Sequence, residues 1–370
     1  MVREFGSAFV VVSSSTDVVH MQRALQLALR GWGRVAPNPL VGAVVAKGKE
    51  ILGEGWHAEY GGAHAEVQAL RAAGRRAAGA TLYLTLEPCA HHGKTPPCTD
   101  IVIAHRIARV VYAAADPNPH ARCGAEALRA SGVEVTGGVE EQGARDQNAP
   151  FFHRFTGAER PWIALKLAMS LDGAVADAFG RSQWITGQQA REQTHHLRAQ
   201  FDAIGVGSGT ALADNPQLTV RGTVQPRCAP ARVVFDRRLR LPAESRLAQS
   251  AEEIPLWVVT GDTAPEERCR ALEARGVRVL RGGCLGDGLR NLWDQGIGSL
   301  LVEGGAHMAG ALLSAGSVDR LYLFFAPLLL GGEAVRAFAA VPPASLESAM
   351  RWRTLATEQL GADTLITLAA

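Results

Sequence analysis

His64, Cys89 and Cys98 are residue types that bind a soft divalent metal, and they follow one another closely in the chain. One imidazole and two thiolates form a zinc ligand set with a fourth tetrahedral position left for water, the arrangement of a catalytic rather than a structural site. Water held there ionises near neutral pH and needs a group to carry its proton onward. Glu66, two residues beyond His64, can lie beside the metal without binding it. Taken singly, an H-x-E or P-C fragment is commonplace in helices and turns. The ordered combination His64, Glu66, Pro88, Cys89, Cys98 is what points to chemistry. The rival reading is a buried helix with two inert thiols. A closed structural zinc site would want a fourth ligand, for which His91 and His92 are the nearby applicants.

A second set of candidates is bare backbone. Gly205-Val206-Gly207-Ser208-Gly209-Thr210 and Glu303-Gly304-Gly305-Ala306 each follow an apolar run, and the latter opens a predicted helix. Free N–H groups and the positive dipole end of a helix suit a phosphate. Neither run fits G-x-G-x-x-G, and a tight turn is the competing reading. His195 and His196 lie on a predicted helix without Cys or acidic partners at ligand spacing, and both read as structural. Cys123 likewise reads as an ordinary thiol.

The elements that must position these groups are legible as alternation. Val18, Met21, Leu25, Ala28 and Leu29 recur at helical spacing, with Thr16 or Asp17 as cap and Gly31 as stop. Strands are predicted at 40–46, 81–86 and 109–114, with helices at 64–73 and 101–105. From 137 to 160 periodicity is lost, which places a domain boundary there. A second alternation follows, with strands at 162–168, 203–206, 231–235, 256–259 and 300–303 and helices at 188–200, 265–275 and 306–314. The expected layout is an irregular N-terminus over 1–15, a first α/β domain over 16–158 and a second over 159–370. With 370 residues, 47% hydrophobic and 20% charged, two globular domains are expected and a disordered or fibrous chain is excluded. A net charge of +2 offers no broad field for nucleic acid. The longest apolar stretch, 321–330, contains a proline and falls short of the ~20 residues of a membrane helix. Six cysteines show no disulfide-scaffold density, which fits a reducing compartment, and a cytoplasmic protein is expected.

The order H-x-E, then P-C and a second cysteine, matches the grammar of zinc deaminases, and the chain resembles one family along nearly its whole length. Thr85 to Cys98 (TLEPCAHHGKTPPC), with eight residues between the two cysteines, resembles the zinc segment of the bifunctional deaminase–reductase family of riboflavin biosynthesis. So do Pro37-Asn38-Pro39-Leu40-Val41-Gly42, Gly61-Gly62-Ala63-His64-Ala65-Glu66 and Asp116-Pro117-Asn118-Pro119. In the second half Lys166 to Gly173 (KLAMSLDG), Trp184-Ile185-Thr186 and Asp214 to Arg221 (DNPQLTVR) are similar to the family's reductase.

The resemblance implies an α/β fold, with an N-terminal cytidine-deaminase-like α/β/α domain followed by a C-terminal dihydrofolate-reductase-like α/β domain. It implies Zn²⁺ on His64, Cys89 and Cys98, with Glu66 catalytic, and a phosphoribosyl-pyrimidine substrate held by Asn38, His57, His91, Lys94, Asp116 and Asn118. NADPH would be contacted by Ala168, Trp184, Thr210, Asp214, Gly305, Ala306, His307, Met308, Ala309, Gly310 and Ala311. The reductase substrate would be contacted by Ser182, Arg198, Leu218, Arg221 and Glu303, two guanidiniums being able to grip a ribose phosphate. Two departures stand out. The segment after Pro119, His120-Ala121-Arg122-Cys123-Gly124, is shorter than the family's and keeps one glycine of two. Asp236 is followed by Arg237, Arg238 and Arg240, either extra cations for an NADP 2′-phosphate or an exposed basic turn.

The implied activity is zinc-dependent deamination of a phosphoribosylated diaminopyrimidinone, then NADPH-dependent reduction of its ribosyl chain to ribityl, in a homo-oligomer (dimer or tetramer) that binds neither nucleic acid nor membrane. A nucleic-acid base deaminase is disfavoured by charge and by the eight-residue cysteine gap. A zinc-stabilised binding module would have no use for Glu66.

Overall fold

The computed structural model describes residues 15–90, 97–121 and 123–370. The chain divides into two compact units, Met1–Phe155 and Thr156–Ala370. The irregular start expected over 1–15 lies, apart from Ser15, outside the described residues.

In the first unit, helix Ser15–Ala28 precedes strands β1 (Gly42–Lys47) and β2 (Glu50–Trp56). Helix Ala65–Ala73, β3 (Thr81–Leu86), helix Cys98–Ala104 and β4 (Arg109–Ala114) follow. Helix Gly124–Ala130, β5 (Glu134–Gly137) and helices Glu141–Gln147 and Ala149–His153 complete it. The sheet order is β2-β1-β3-β4-β5, with β1 antiparallel to both neighbours and β3, β4 and β5 parallel. Successive strand residues serve opposite faces: Ala43, Val45, Leu82 and Leu84 pack with Leu70 of one helical layer, and Val44, Ala46 and Tyr83 pack with Met21 and Leu27 of the other. Three layers result.

β2 carries no signal that β-branched patterning could catch, and the reason is packing. A Cβ on Gly53 or Gly55 would stand 2.3 Å from the carbonyl oxygens of Ala69 or Ala65 on the helix above. The close crossing demands glycine and so erases the pattern. The aperiodic 137–160 stretch holds the helices Glu141–Gln147 and Ala149–His153, each too short to show a period. Between them the buried Asn148 side chain accepts from the Leu40 N–H at 2.7 Å and donates to the Leu40 carbonyl at 2.9 Å.

The second unit contains β6 (Trp162–Ser170), β7 (Ala174–Ala176), β8 (Ala203–Gly207), β9 (Ala231–Phe235), β10 (Leu256–Thr260) and β11 (Arg278–Arg281). Then come β12 (Ser299–Glu303), β13 (Arg320–Ala326), β14 (Val335–Arg336), β15 (Arg353–Leu360) and β16 (Asp363–Ala369). The large sheet runs β11-β10-β9-β8-β12-β6-β13-β16-β15. The strands from β11 to β13 are parallel, and β16 is antiparallel to both β13 and β15. Inner strands such as β10, Leu256-Trp257-Val258-Val259-Thr260, are buried throughout, as expected of parallel strands covered on both faces. The chain steps outward from β6 through β8 to β11, then returns as β12 between β8 and β6. Strand order therefore reverses at β8, β12 and β6, and the carboxyl ends of strands at such a point leave a crevice. The apolar 321–330 stretch is mostly β13. Among the described residues, no helix is long and apolar enough to cross a membrane.

Gly42 of β1 lies under helix Ser15–Ala28, and a Cβ there would meet the Ala24 carbonyl oxygen at 1.9 Å and the Ala28 nitrogen at 2.8 Å. Gly42→Ala should cost about 1–3 kcal/mol through overpacking. A urea titration would show this as a lowered unfolding midpoint for the first unit.

Candidate active sites

The first unit gathers its polar chemistry where strands end and helices begin. His64 caps helix Ala65–Ala73, Cys89 follows the end of β3, and Cys98 is the first residue of helix Cys98–Ala104. Their ligand atoms lie within 4.8 Å of one another, and no other such group of three exists among the described residues. His64 Nδ1 stands 3.1 Å from Cys98 Sγ and 3.8 Å from Cys89 Sγ. Around a tetrahedral zinc, nitrogen–sulfur edges run to about 3.5 Å. The donor set therefore fits zinc, with His64 ligating through Nδ1. The Cys98 N–H donates to the Cys89 carbonyl at 3.2 Å, locking the two thiols together. A hydrogen bond from Cys98, then one from His64, favours the thiolate at Cys89.

Glu66 is 4% exposed and lines a cavity of about 310 Å³ beside the ligands. Burial pushes its carboxyl up, against the opposing pull of His64. A carboxyl raised by burial is suited to holding and passing on a proton. Asn38, His57, Asp116 and Asn118 line the same cavity. His57 Nδ1 lies 3.2 Å from the Ala63 carbonyl, which only accepts, so Nδ1 carries the proton and Nε2 accepts from Asn38 Nδ2 at 3.2 Å. Burial lowers the His57 pKa and keeps it neutral. Asp116 accepts from the Asn118 N–H at 2.8 Å, and Asn118 from the His120 N–H at 3.0 Å, so both also shape their own turn. His91 and Lys94 lie outside the described residues.

Two further residues shape this site, one inside the TLEPC segment and one in the aperiodic stretch, and neither is marked by its own type or spacing. Glu87 accepts from the Asp116 N–H at 3.3 Å and the Ala125 N–H at 3.1 Å, tying the shortened loop to the end of β3. The single glycine kept in that loop is sterically required, because a Cβ on Gly124 would fall 1.7 Å from the Pro88 carbonyl oxygen. Phe151 reaches the cavity wall from the stretch that reads as aperiodic.

In the second unit a cavity of about 510 Å³ opens at the carboxyl ends of β6, β8 and β12. Ala168, Trp184, Thr210 and Asp214 line it, as do Ser182, Arg198, Leu218, Arg221 and Glu303. Gly305, Ala306, His307, Met308, Ala309, Gly310 and Ala311 are not among the lining residues. Gly305 caps helix Ala306–Ser314, whose Met308 and Ala309 pack into the core. A Cβ on Gly310 would stand 2.4 Å from that of Ala340, so this part of the helix is committed to packing. Arg237, Arg238 and Arg240 border a separate hollow of about 220 Å³, where Arg240 donates to Ser208 Oγ at 2.7 Å.

Arg198 and Glu303, separate contacts in the sequence reading, form one ion pair. Arg198 Nε and Nη2 meet the two Glu303 oxygens at 2.5 and 2.8 Å. Burial would raise the Glu303 carboxyl, but Arg198 and Lys166 outweigh it and hold it at about 2. Lys166 pairs with Glu303 in the β6–β12 register, and burial lowers its ammonium pKa. His195 lines the cavity as well, and its Nδ1 accepts from the Arg221 N–H at 3.2 Å, a hold on backbone in keeping with the structural reading. No local spacing marks Lys166 or His195, since their partners come from distant strands and loops.

Residues 161–366 match the model of the RibD C-terminal domain, and residues 14–114 match the cytidine and deoxycytidylate deaminase zinc-binding region. The riboflavin biosynthesis protein RibD of Aquifex aeolicus is 42% identical over 95% of this chain and 97% of its own. That of Escherichia coli is 43% identical over 86% and 89%. The structure of Acinetobacter baumannii RibD (form 1) is similar at a TM-score of 0.81 and 38% identity, covering 96% of this chain and 98% of that one. A Thermotoga maritima protein described as a diaminohydroxyphosphoribosylaminopyrimidine deaminase/5-amino-6-(5-phosphoribosylamino)uracil reductase gives 0.80 and 36% over the same shares.

Cys89→Ser or Cys98→Ser should bring bound zinc well below one per chain, since a hydroxyl substitutes poorly for thiolate. Metal analysis of the purified variants checks this, and full occupancy in both would place the ligands elsewhere.

Proposed function

The chain belongs to the RibD family of riboflavin-biosynthesis proteins, and from that membership we propose how its residues divide a deaminase and a reductase reaction between two units. The first deaminates 2,5-diamino-6-(5-phosphoribosylamino)pyrimidin-4-one hydrolytically. The second reduces the ribosyl chain of 5-amino-6-(5-phosphoribosylamino)uracil to ribityl. The observation that carries the first assignment is the buried carboxyl of Glu66 beside a three-ligand metal set at the wall of a cavity.

His64, Cys89 and Cys98 would hold zinc, which would supply Lewis acidity and lower the pKa of the water that attacks the ring. Glu66 would accept a proton from the attacking water and pass it to the ring nitrogen, then take the second from the added hydroxyl and pass it to the departing amine, transfers its burial suits. Asn38 and the fixed His57 tautomer orient the pyrimidine, with Asp116 and Asn118 on the same wall and His91 and Lys94 assigned by resemblance.

In the second unit NADPH supplies the reducing equivalents. Ala168, Trp184, Thr210 and Asp214 hold the cofactor from the cavity wall, and 305–311 are assigned to it by resemblance. Ser182, Arg198, Leu218 and Arg221 receive the phosphoribosyl end, and the ionised Glu303 accepts from its hydroxyls. Positioning against the nicotinamide is the main contribution of these groups. The protein is read as a cytoplasmic homo-oligomer that binds no nucleic acid. Its net charge of +2 supports the absence of a nucleic-acid partner.

Incubation with the aminopyrimidine substrate, with and without NADPH, should show ammonia release in both cases and NADPH oxidation following it. Glu66→Gln should keep zinc and fold yet abolish ammonia release, while oxidising NADPH at close to the wild-type rate when given deaminated substrate. Near-normal deamination by this variant would remove Glu66 from its role. Arg198→Ala should lower reductase kcat/KM at least about ten- to a hundredfold, through loss of a charge-assisted hydrogen bond and of the partner that keeps Glu303 ionised, and leave ammonia release near normal. Loss of both reactions in either folded variant would mean that the sites are shared.

A further inference from the structure

We propose that His195 is a positioning residue of the reductase site, holding the backbone of Arg221 so that its guanidinium meets the substrate phosphate. The proposal rests on the reading that Arg198 and Arg221 receive the phosphoribosyl end.

The segment 218–221 crosses the cavity wall with no regular secondary structure of its own. It enters through Leu218, whose φ of 53° is a left-handed conformation costly for a branched side chain, and leaves through Gly222 at 98°. Leu218 is 3% exposed, so its side chain is anchored in the core, but the residues that follow are held by hydrogen bonds from helix Gln188–Arg198. Arg198 Nη1 donates to the Thr219 carbonyl at 2.7 Å, and the Arg221 N–H donates to His195 Nδ1 at 3.2 Å. Residues 195 and 198 stand three apart on one helix face, so a single rigid element grips the segment at both points.

The Arg221 N–H can only donate, which makes Nδ1 the acceptor and puts the neutral ring's proton on Nε2. Burial first, then the charges of Arg198 and Arg221, lower the imidazole pKa against the opposing carboxylate of Glu303 and a hydrogen bond to the Thr219 backbone, a further contact of His195 with the same segment. The tie links four residues assigned to the substrate: Glu303 orients Arg198, Arg198 holds the carbonyl next to Leu218, and His195 holds Arg221. Without the tie, Arg221 keeps its charge but loses its fixed origin, and binding of the phosphate pays the cost of ordering it.

The test uses the full-length zinc-loaded enzyme, deaminated substrate with and without its phosphate, and His195→Leu, His195→Asn, His195→Gln and Arg221→Ala. Asn places an acceptor where Nδ1 stands, whereas Gln places one nearer Nε2. His195→Leu and His195→Gln should raise KM for the phosphorylated substrate about three- to tenfold, the range for one hydrogen bond, with kcat within about twofold. His195→Asn should restore KM. For the substrate lacking phosphate, all three should match wild type, and ammonia release should be unchanged throughout. The proposal is overturned if KM rises equally for both substrates, if Asn is no better than Gln, or if Leu and Gln leave KM unaltered. Arg221→Ala separates the two levels: an unaltered KM there sinks the phosphate reading itself, whereas a raised KM with silent His195 variants sinks only the tie.

Discussion

Glu303 can remain ionised inside the second unit only because the Arg198 fork and the Lys166 ammonium face its carboxylate across the ends of β12 and β6. A buried charge left unpaired costs several kcal/mol, so these groups have to be placed together or not at all. That requirement sets the position of helix Gln188–Arg198 against the carboxyl ends of the parallel strands. It makes the wall of the cavity a network in which Arg198 also fixes Thr219 and His195 fixes Arg221.

The first unit meets the same requirement with softer groups. Cys89 and Cys98 are thiols at the edge of a core, and His64 faces both, so a thiolate there is compensated before any metal binds. Among the described residues no guanidinium opposes Glu66 as Arg198 opposes Glu303, and burial pushes the Glu66 carboxyl up where that of Glu303 is driven down. The difference in compensation divides the two roles. A carboxylate locked in an ion pair orients its neighbours, and a carboxyl poised by burial can carry a proton.

The first site depends on close backbone approach. Gly42, Gly53 and Gly55 let two helices lie directly on β1 and β2, and Gly124 lets the loop carrying Asp116 and Asn118 press against Pro88. Glu87 then ties that loop to the end of β3. The shortened segment after Pro119 is accommodated in this way: Cys123 takes a φ of 77° and the remaining glycine stands where no side chain fits.

The sequence by itself determined the parts whose information is local. Ligand type and spacing singled out His64, Cys89, Cys98 and Glu66, because metal chemistry restricts which residues can serve. Helical and strand periods marked most of the alternation, because burial of one face imposes them. The resemblance in the KLAMSLDG and DNPQLTVR segments supplied candidates whose individual residue types carry no chemical signature. What only the tertiary structure decided were the pairings between distant segments. β2 carries no pattern because close helix packing demands glycine at Gly53 and Gly55, and the helices at 141–153 carry none because each has too few residues to repeat a 3.6-residue period. Lys166, His195, Glu87 and Phe151 acquire their places only when a strand, a helix or a loop brings a partner or a cavity to them. Arg198 and Glu303 could be marked one by one from the chain. That they are a single ion pair follows from folding, because electrostatic compensation depends on distance in space and leaves no trace in sequence spacing.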